Sequence, residues 1–134
     1  MTVQYSDVVK NAKLDAWETA IGVSAVLKIR TGAQPATPGT ADSGTVLASM
    51  TLPSDWMNPA SGGTKTKLGT WQDLVADNTG TGAHYRIYAS DGTTCHEQGS
   101  YTLTGGGGDM TGDSTSFTAG QSVTITGFTK TSGN

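Results

Sequence analysis

The sequence predicts an all-β fold, a jelly-roll-like antiparallel β-sandwich with one N-terminal α-helix, and three observations lead there. Short runs of β-branched and aromatic residues recur along most of the chain, separated by clusters of Gly, Thr, Ser, Asn and Asp, with no helical stretches between them. The composition agrees: 19 glycines and only 14% charged residues suit short strands and tight turns, whereas a helical bundle is richer in Ala, Leu, Glu and Lys. Helical periodicity occurs in one place, near the N-terminus. A chain of 134 residues is long enough for a single core. It divides on this reading into residues 1–22, a helix or arm, and residues 23–134, the β-sandwich domain.

The helix is predicted over residues 6–21. Val9, Leu14, Trp17 and Ile21 fall near one face, Ser6 can cap the start and Gly22 can end it. That face has two possible uses: covering an open end of the sheet, or packing on a neighbouring subunit, for which Val9, Leu14, Trp17 and Ile21 are the candidate interface residues. Residues 24–31 alternate Val26, Lys28 and Arg30 against Ala25, Leu27 and Ile29, a strand with one wet face. Residues 32–44 hold Pro35 and Pro38 among turn residues and read as an exposed loop. A second strand covers residues 45–52 and stops at Pro53. The stretch 54–73 carries Trp56, Met57 and Trp71 around a polar glycine-rich insert, with a short strand expected at 67–71. Residues 77–81 form a turn. Gly105 to Gly108 are four consecutive glycines, too flexible for a strand interior. Strands follow near 115–117 and 123–129, joined at Ala119-Gly120.

Residues 82–103 dictate their own structure most clearly. Tyr85, Ile87 and Tyr88 suit a pleated surface, and Asp91-Gly92 is the dipeptide a tight hairpin turn favours. With those two at the tip, Tyr88 faces Cys95, Ile87 faces His96 and Arg86 faces Glu97. The last couple is then a cross-strand ion pair. Ala83, Tyr85, Ile87 and Ala89 share the face expected to be buried.

Little in the chain carries chemistry. The formal net charge is −3 and the eight Lys and Arg form no stripe, which disfavours direct nucleic-acid binding. Cys95 has no partner for an internal disulfide, the first residues lack the apolar core of a signal peptide, and no apolar run approaches a membrane span, so folding in a reducing cytoplasm is expected. Cys95, His96, Glu97 and His84 are the one set that resembles a metal or Cys-His site, but adjacent strand residues point to opposite faces, and the expected partner of Glu97 is Arg86. The glycine run before Asp109 has no following Gly-Lys-Ser/Thr, and a calcium loop counted from Asp109 meets Thr111, Ser114 and Gly120 where its ligands and glycine belong. Asp73, Asp77 and Asp91 sit in or near turns, where Asp bonds its own backbone. The expectation is a protein with no cofactor, no metal and no enzymatic activity.

The runs NAKLDAWETAIGVSAVLKIRTGAQPA, TVLASMTLPSDWM, GAHYRIYASDGTTCHEQG and GGGGDMTGDSTSFTAGQSVTITGFT resemble small structural proteins of tailed bacteriophages, over nearly the whole chain. Capsid decoration, or cement, proteins are the functional type in that group most similar in size, acidity and β-rich make-up. The resemblance implies a virion component, made and folded in the host cytoplasm, that binds the major capsid protein and its own copies as a homotrimer. A tail- or fibre-associated module that binds a host-surface glycan or receptor is the alternative, with Trp56 and Trp71 as candidates for stacking on a sugar.

Overall fold

The computed structural model describes residues 2–132, and among them the fold is mostly β with one helix. Helix α1 (Asp7–Ile21) precedes ten strands: β1 (Val26–Arg30), β2 (Val46–Thr51), β3 (Thr64–Thr66), β4 (Gln72–Asp73), β5 (Gly80–Thr81), β6 (His84–Tyr88), β7 (Cys95–Leu103), β8 (Met110–Gly112), β9 (Ser116–Phe117) and β10 (Val123–Thr131). Eight strands form one sheet in the order β2-β1-β6-β7-β8-β10-β3, with β4 also paired to β10, while β5 and β9 make a separate two-stranded ladder. The large sheet curls on itself. Its two ends meet where the Ser49 N–H of β2 donates to Asp73 Oδ2 of β4 at 2.9 Å. Leu27, Ile29, Tyr85, Ile87, Met110, Ile125 and Phe128 line the inside of the curl with Trp56 and Trp71.

The helix ends where its capping residues stand. Ser6 Oγ accepts from the Val9 N–H at 3.4 Å, and Gly22, at φ 95°, donates its N–H to the Glu18 carbonyl. Leu14 and Ile21 are buried, Trp17 packs half-buried against the core, and Val9 is exposed. Polar contacts hold the other side of the helix. Lys65 Nζ lies 2.6 Å from Asp15 and 2.9 Å from Glu18 while the lysine itself is 2% exposed. The Asn11 side chain accepts from the Gly63 N–H at 2.9 Å. These contacts move the expected strand. Residues 67–71 form no strand beyond a single bridge at Lys67, and pairing falls instead on Thr64–Thr66 and Gln72–Asp73. Lys65 is buried in the middle of β3 because two helix carboxylates neutralise it, while Thr66 beside it stays exposed.

The β6–β7 hairpin starts as expected and then slips. The Ala89 N–H donates to the Thr94 carbonyl, and Tyr88 lies opposite Cys95. Asp91 secures the tip: its carboxylate accepts from Thr94 Oγ1 and from the Thr94 and Thr93 N–H groups, which hold its pKa well below the usual carboxylate range. One rung further, Ile87 faces Glu97 and Arg86 faces Gln98, with His96 as the extra residue of a β-bulge. The expected Arg86–Glu97 pair therefore does not form. A slip of one residue turns a side chain to the other face of the sheet, and Glu97 points into the core side.

The expectation of a wholly antiparallel sheet fails at one seam. β7 and β8 run parallel, with Tyr101 beside Met110 and Leu103 beside Gly112. Parallel neighbours ordinarily need a crossover of a dozen or more residues. Here residues 104–109 suffice, because the glycine run doubles back over Thr102. Gly105 and Gly107 take φ of 84° and 83°, and a Cβ at Gly106 or Gly108 would lie 2.8 Å from Thr102 side-chain atoms. Thr102 Oγ1 in turn accepts from the Gly108 N–H at 3.0 Å.

Gly99 has the same character within a strand, since a Cβ there would meet Tyr85 Cε1 at 2.7 Å, Tyr85 Oη at 2.8 Å and Asp109 Oδ2 at 2.9 Å. Gly99→Ala is expected to destabilise the fold by about 1–3 kcal/mol through overpacking. Urea unfolding checks this, with Gly39→Ala, whose methyl meets only Thr37 Oγ1 at an ordinary 3.8 Å and whose φ is not left-handed, as the control for the loss of backbone freedom alone.

Candidate functional site

The most polar part of the interior lies on the outer face of strands β1, β6 and β7. Pairing sets Lys28 beside Arg86 and Arg30 beside His84 across β1 and β6, and Gln98 beside Arg86 across β6 and β7. Strand alternation then places Lys28, Arg30, His84, Arg86, Tyr88 and Gln98 on one face, with Leu27, Ile29, Tyr85 and Ile87 on the other. Residues 32–44 roof that face. Their ends are clasped, since the Thr31 N–H donates to the Thr45 carbonyl at 3.1 Å and the Thr45 N–H donates to Thr31 Oγ1 at 2.9 Å. The segment is an Ω-loop.

Side chains of the sheet hold the roof through its backbone carbonyls and through one carboxylate, Asp42. Arg86, 1% exposed, donates through Nη2 to the carbonyls of Thr37 (3.4 Å), Pro38 (2.7 Å) and Thr40 (3.1 Å), and through Nη1 to Asp42 Oδ1. Arg30 Nη2 donates to Asp42 Oδ2 at 2.8 Å and its Nη1 to the Gly44 carbonyl at 3.3 Å. Tyr88 Oη adds a bond to Asp42 Oδ1 at 2.7 Å. Gln98 Nε2 donates to the Pro35 carbonyl at 2.6 Å, and His84 Nδ1 lies 2.8 Å from the Gly32 carbonyl. A carbonyl only accepts, so Nδ1 carries the ring hydrogen.

The charges respond to this enclosure. Partial burial pushes the Asp42 carboxyl up, but the Tyr88 hydroxyl and the charges of Arg30 and Arg86 outweigh it and hold the group below the usual range. Burial lowers the His84 pKa, and the nearby arginines add to the effect. Tyr88 is pushed up to about 12, first by burial and then by its bond to Asp42. Among the described residues, three buried atoms of this layer find no hydrogen-bond partner: His84 Nε2, Arg86 Nε and Gln98 Oε1. A cleft of about 300 Å³ opens beside Arg86, between loop residues 38–42 and residues 93–95 of the hairpin tip. Cys95 borders it, and burial pushes the thiol pKa up, away from a reactive thiolate.

The bulge builds a second polar centre on the core side. Glu97 Oε1 accepts from Trp17 Nε1 at 3.0 Å and pairs with Lys130 Nζ at 2.7 Å, and Oε2 accepts from Tyr85 Oη at 2.8 Å. Burial and the adjacent carboxylate push the Tyr85 hydroxyl far above its ordinary pKa, so it serves as a donor throughout. Around it Trp17, Trp56, Trp71, Phe128 and Tyr85 form a chain of rings with centroids 5.2–6.2 Å apart. An open cleft of about 500 Å³ lies alongside, lined by Tyr85, Gln98, Asp109, Phe128 and Lys130, where β8 stops and leaves β7 and β10 apart.

The residues singled out in the sequence are distributed differently. Leu14 and Ile21 are buried within the chain and Trp17 is tied to Glu97 and Trp56, which leaves Val9 as the member of that face that stands clear. Trp56 and Trp71 are buried, with their N–H groups given to the Gly22 and Leu68 carbonyls, so neither ring offers a face to a sugar. His84 and Glu97 lie on opposite sides of the sheet. Among the described residues, no group of three or more His, Cys, Asp or Glu side chains is arranged to hold a metal. The roofed layer went unread because Arg30 looks like the wet face of an alternating strand. The available signal was the placement of Lys28, Arg30 and Arg86 on one face of two neighbouring strands, beside a loop carrying a single carboxylate, Asp42.

Asp42 of the roof and His84 beneath it make the attachment acid-sensitive. A depressed His84 pKa contributes stability above its unfolded value near pH 6.5 that is lost as pH falls through the folded pKa. A depressed Asp42 pKa does the same below about pH 3.9. NMR titration of the His84 ring should give a midpoint below 6.5, and a midpoint at or above that value contradicts the burial argument. Asp42→Asn should lower the Tm at pH 7 and flatten its fall below pH 4. Comparison with protein-family models, curated proteins and solved structures finds no match to this chain.

Proposed function

We propose that this chain is a structural protein of a tailed-bacteriophage virion, a capsid decoration or cement protein that binds the shell as a homotrimer. The observation that carries the reading beyond the sequence resemblance is the apolar N-terminal surface. Val3 and Val8 are 65% and 78% exposed, and Tyr5 and Val9 stand out beside them, four large apolar groups within seven positions. Single exposed apolar residues are ordinary, but several close together in the chain suit a surface that another protein covers. The helix is stapled to the body along its polar side through Asn11, Asp15 and Glu18, so Val8 and Val9 are held out on a rigid support, with Val3 and Tyr5 in the segment that leads into it. Its partners on this reading are sibling copies and the major capsid protein. Closed symmetry lets one patch serve every copy, and several modest contacts add up by avidity. The curled sheet is then a jelly-roll-like sandwich with one parallel seam, acting as a non-catalytic scaffold. A tail or fibre role through sugar stacking finds its candidate rings, Trp56 and Trp71, buried.

The test is the number of chains per purified particle. Quantitative mass spectrometry should find this chain at a constant ratio to the major capsid protein, and a handful of copies per particle would favour the tail reading instead. Light scattering should give three times the 13.7 kDa chain mass. Val8→Asp combined with Val9→Asp should reduce particle binding at least tenfold with Tm nearly unchanged, since neither side chain is part of the core. Unchanged binding would remove the N-terminal surface from the contact.

A further inference from the structure

We propose that the layer beneath residues 32–44 contains a closed binding site for one water molecule, held between His84, Arg86 and Gln98. The three side chains are neighbours on one face, His84 and Arg86 two apart along β6 and Gln98 directly across from Arg86 on β7. The roof passes over all of them, bonded to His84 at Gly32, to Gln98 at Pro35 and to Arg86 at Thr37, Pro38 and Thr40. Each side chain thus uses one end to hold the loop. Each keeps one further buried polar atom that no group among the described residues satisfies: His84 Nε2, Arg86 Nε and Gln98 Oε1.

The character of those atoms follows from the bonds already made. His84 Nδ1 faces a carbonyl and carries the hydrogen, so Nε2 presents a lone pair. Gln98 must present its NH₂ to the Pro35 carbonyl, so the remaining atom is the amide oxygen and not a misassigned nitrogen. Arg86 Nε always bears a hydrogen. The set is one donor and two acceptors. An anion would meet two lone pairs, and a metal ion or ammonium would meet the Arg86 N–H. A water satisfies all three, accepting from Arg86 Nε and donating one hydrogen each to His84 Nε2 and Gln98 Oε1. About three hydrogen bonds to otherwise unsatisfied groups is what buried waters typically make. His84 and Arg86 are each 1% exposed, which excludes larger hydroxyl compounds while the loop is closed.

A crystal structure at a resolution that shows ordered solvent should contain a water within hydrogen-bonding distance of His84 Nε2, Arg86 Nε and Gln98 Oε1 together. A site without that density, or one in which those atoms bond elsewhere, overturns the proposal. In solution, water-selective NOE spectra of the full-length protein should show a slowly exchanging water at the His84 ring protons. Gln98→Met keeps the volume and removes both the acceptor Oε1 and the donor that holds the Pro35 carbonyl, so the water signal tests the site and the loop exchange tests the roof. The substitution should abolish that signal and speed amide exchange within residues 33–41, with the exchange of β1 and β6 amides unchanged as evidence that the fold survives. Persistence of the water signal in Gln98→Met would show that Gln98 is not one of its ligands and would end the three-sided assignment.

Discussion

A single extra residue decides which way the polar groups of this protein face. His96 bulges out of β7, and every side chain beyond it changes side relative to the simple hairpin. Glu97 turns to the core side and meets Trp17, Tyr85 and Lys130, while Gln98 turns outward and reaches the roofing loop. Without the bulge Glu97 would join the Arg86 face and Gln98 would enter the core. The helix, tied down through Trp17, and the Ω-loop, tied down in part through Gln98, both depend on that slip.

Much of the fold was legible, and for identifiable reasons. Ser6 and Gly22 bound the helix because they supply its caps, and Asp91-Gly92 located the hairpin tip because few other dipeptides satisfy that turn. Alternation found Leu27 and Ile29 as inward residues. What failed was polarity used as a proxy for exposure. Lys65, Arg30 and Arg86 are all buried, and in each case the cause is a carboxylate distant in sequence: Asp15 and Glu18 for Lys65, and Asp42 for both arginines. No local pattern records such a partner. The bulge at His96 is equally silent, since it depends on what Glu97 finds on the other face. The candidate site was the least legible part of all, because the loop that roofs it reads as solvent-exposed turn chemistry. Most of its residues are exposed; it is their carbonyls that face inward.

The two polar centres differ in what they stabilise. Glu97 collects donors from the helix, from β6 and from β10, so it joins elements already covered by a continuous aromatic core. The Arg30, Arg86 and Asp42 group joins a segment with almost no apolar contact of its own, apart from the buried Pro35, to the outside of the sheet. Breaking the first would loosen the body of the protein. Breaking the second would free a loop while the sheet beneath keeps its strand pairing. Local openings of this kind occupy the low end of a protein's stability range, and polar attachment places the Ω-loop there.

The parallel seam between β7 and β8 has a consequence for how this sequence can change over time. A tract of four glycines looks like a place where substitutions accumulate freely, because such a tract commonly means a linker. Here two of the four need backbone angles that other residues avoid, and the two between and after them lie too close to Thr102 to carry a side chain. Each position is closed to drift for its own reason, although none belongs to the roofed layer or the Glu97 centre. In descendants of this chain the tract should therefore persist unaltered, and its persistence would reflect how a parallel strand is reached in six residues.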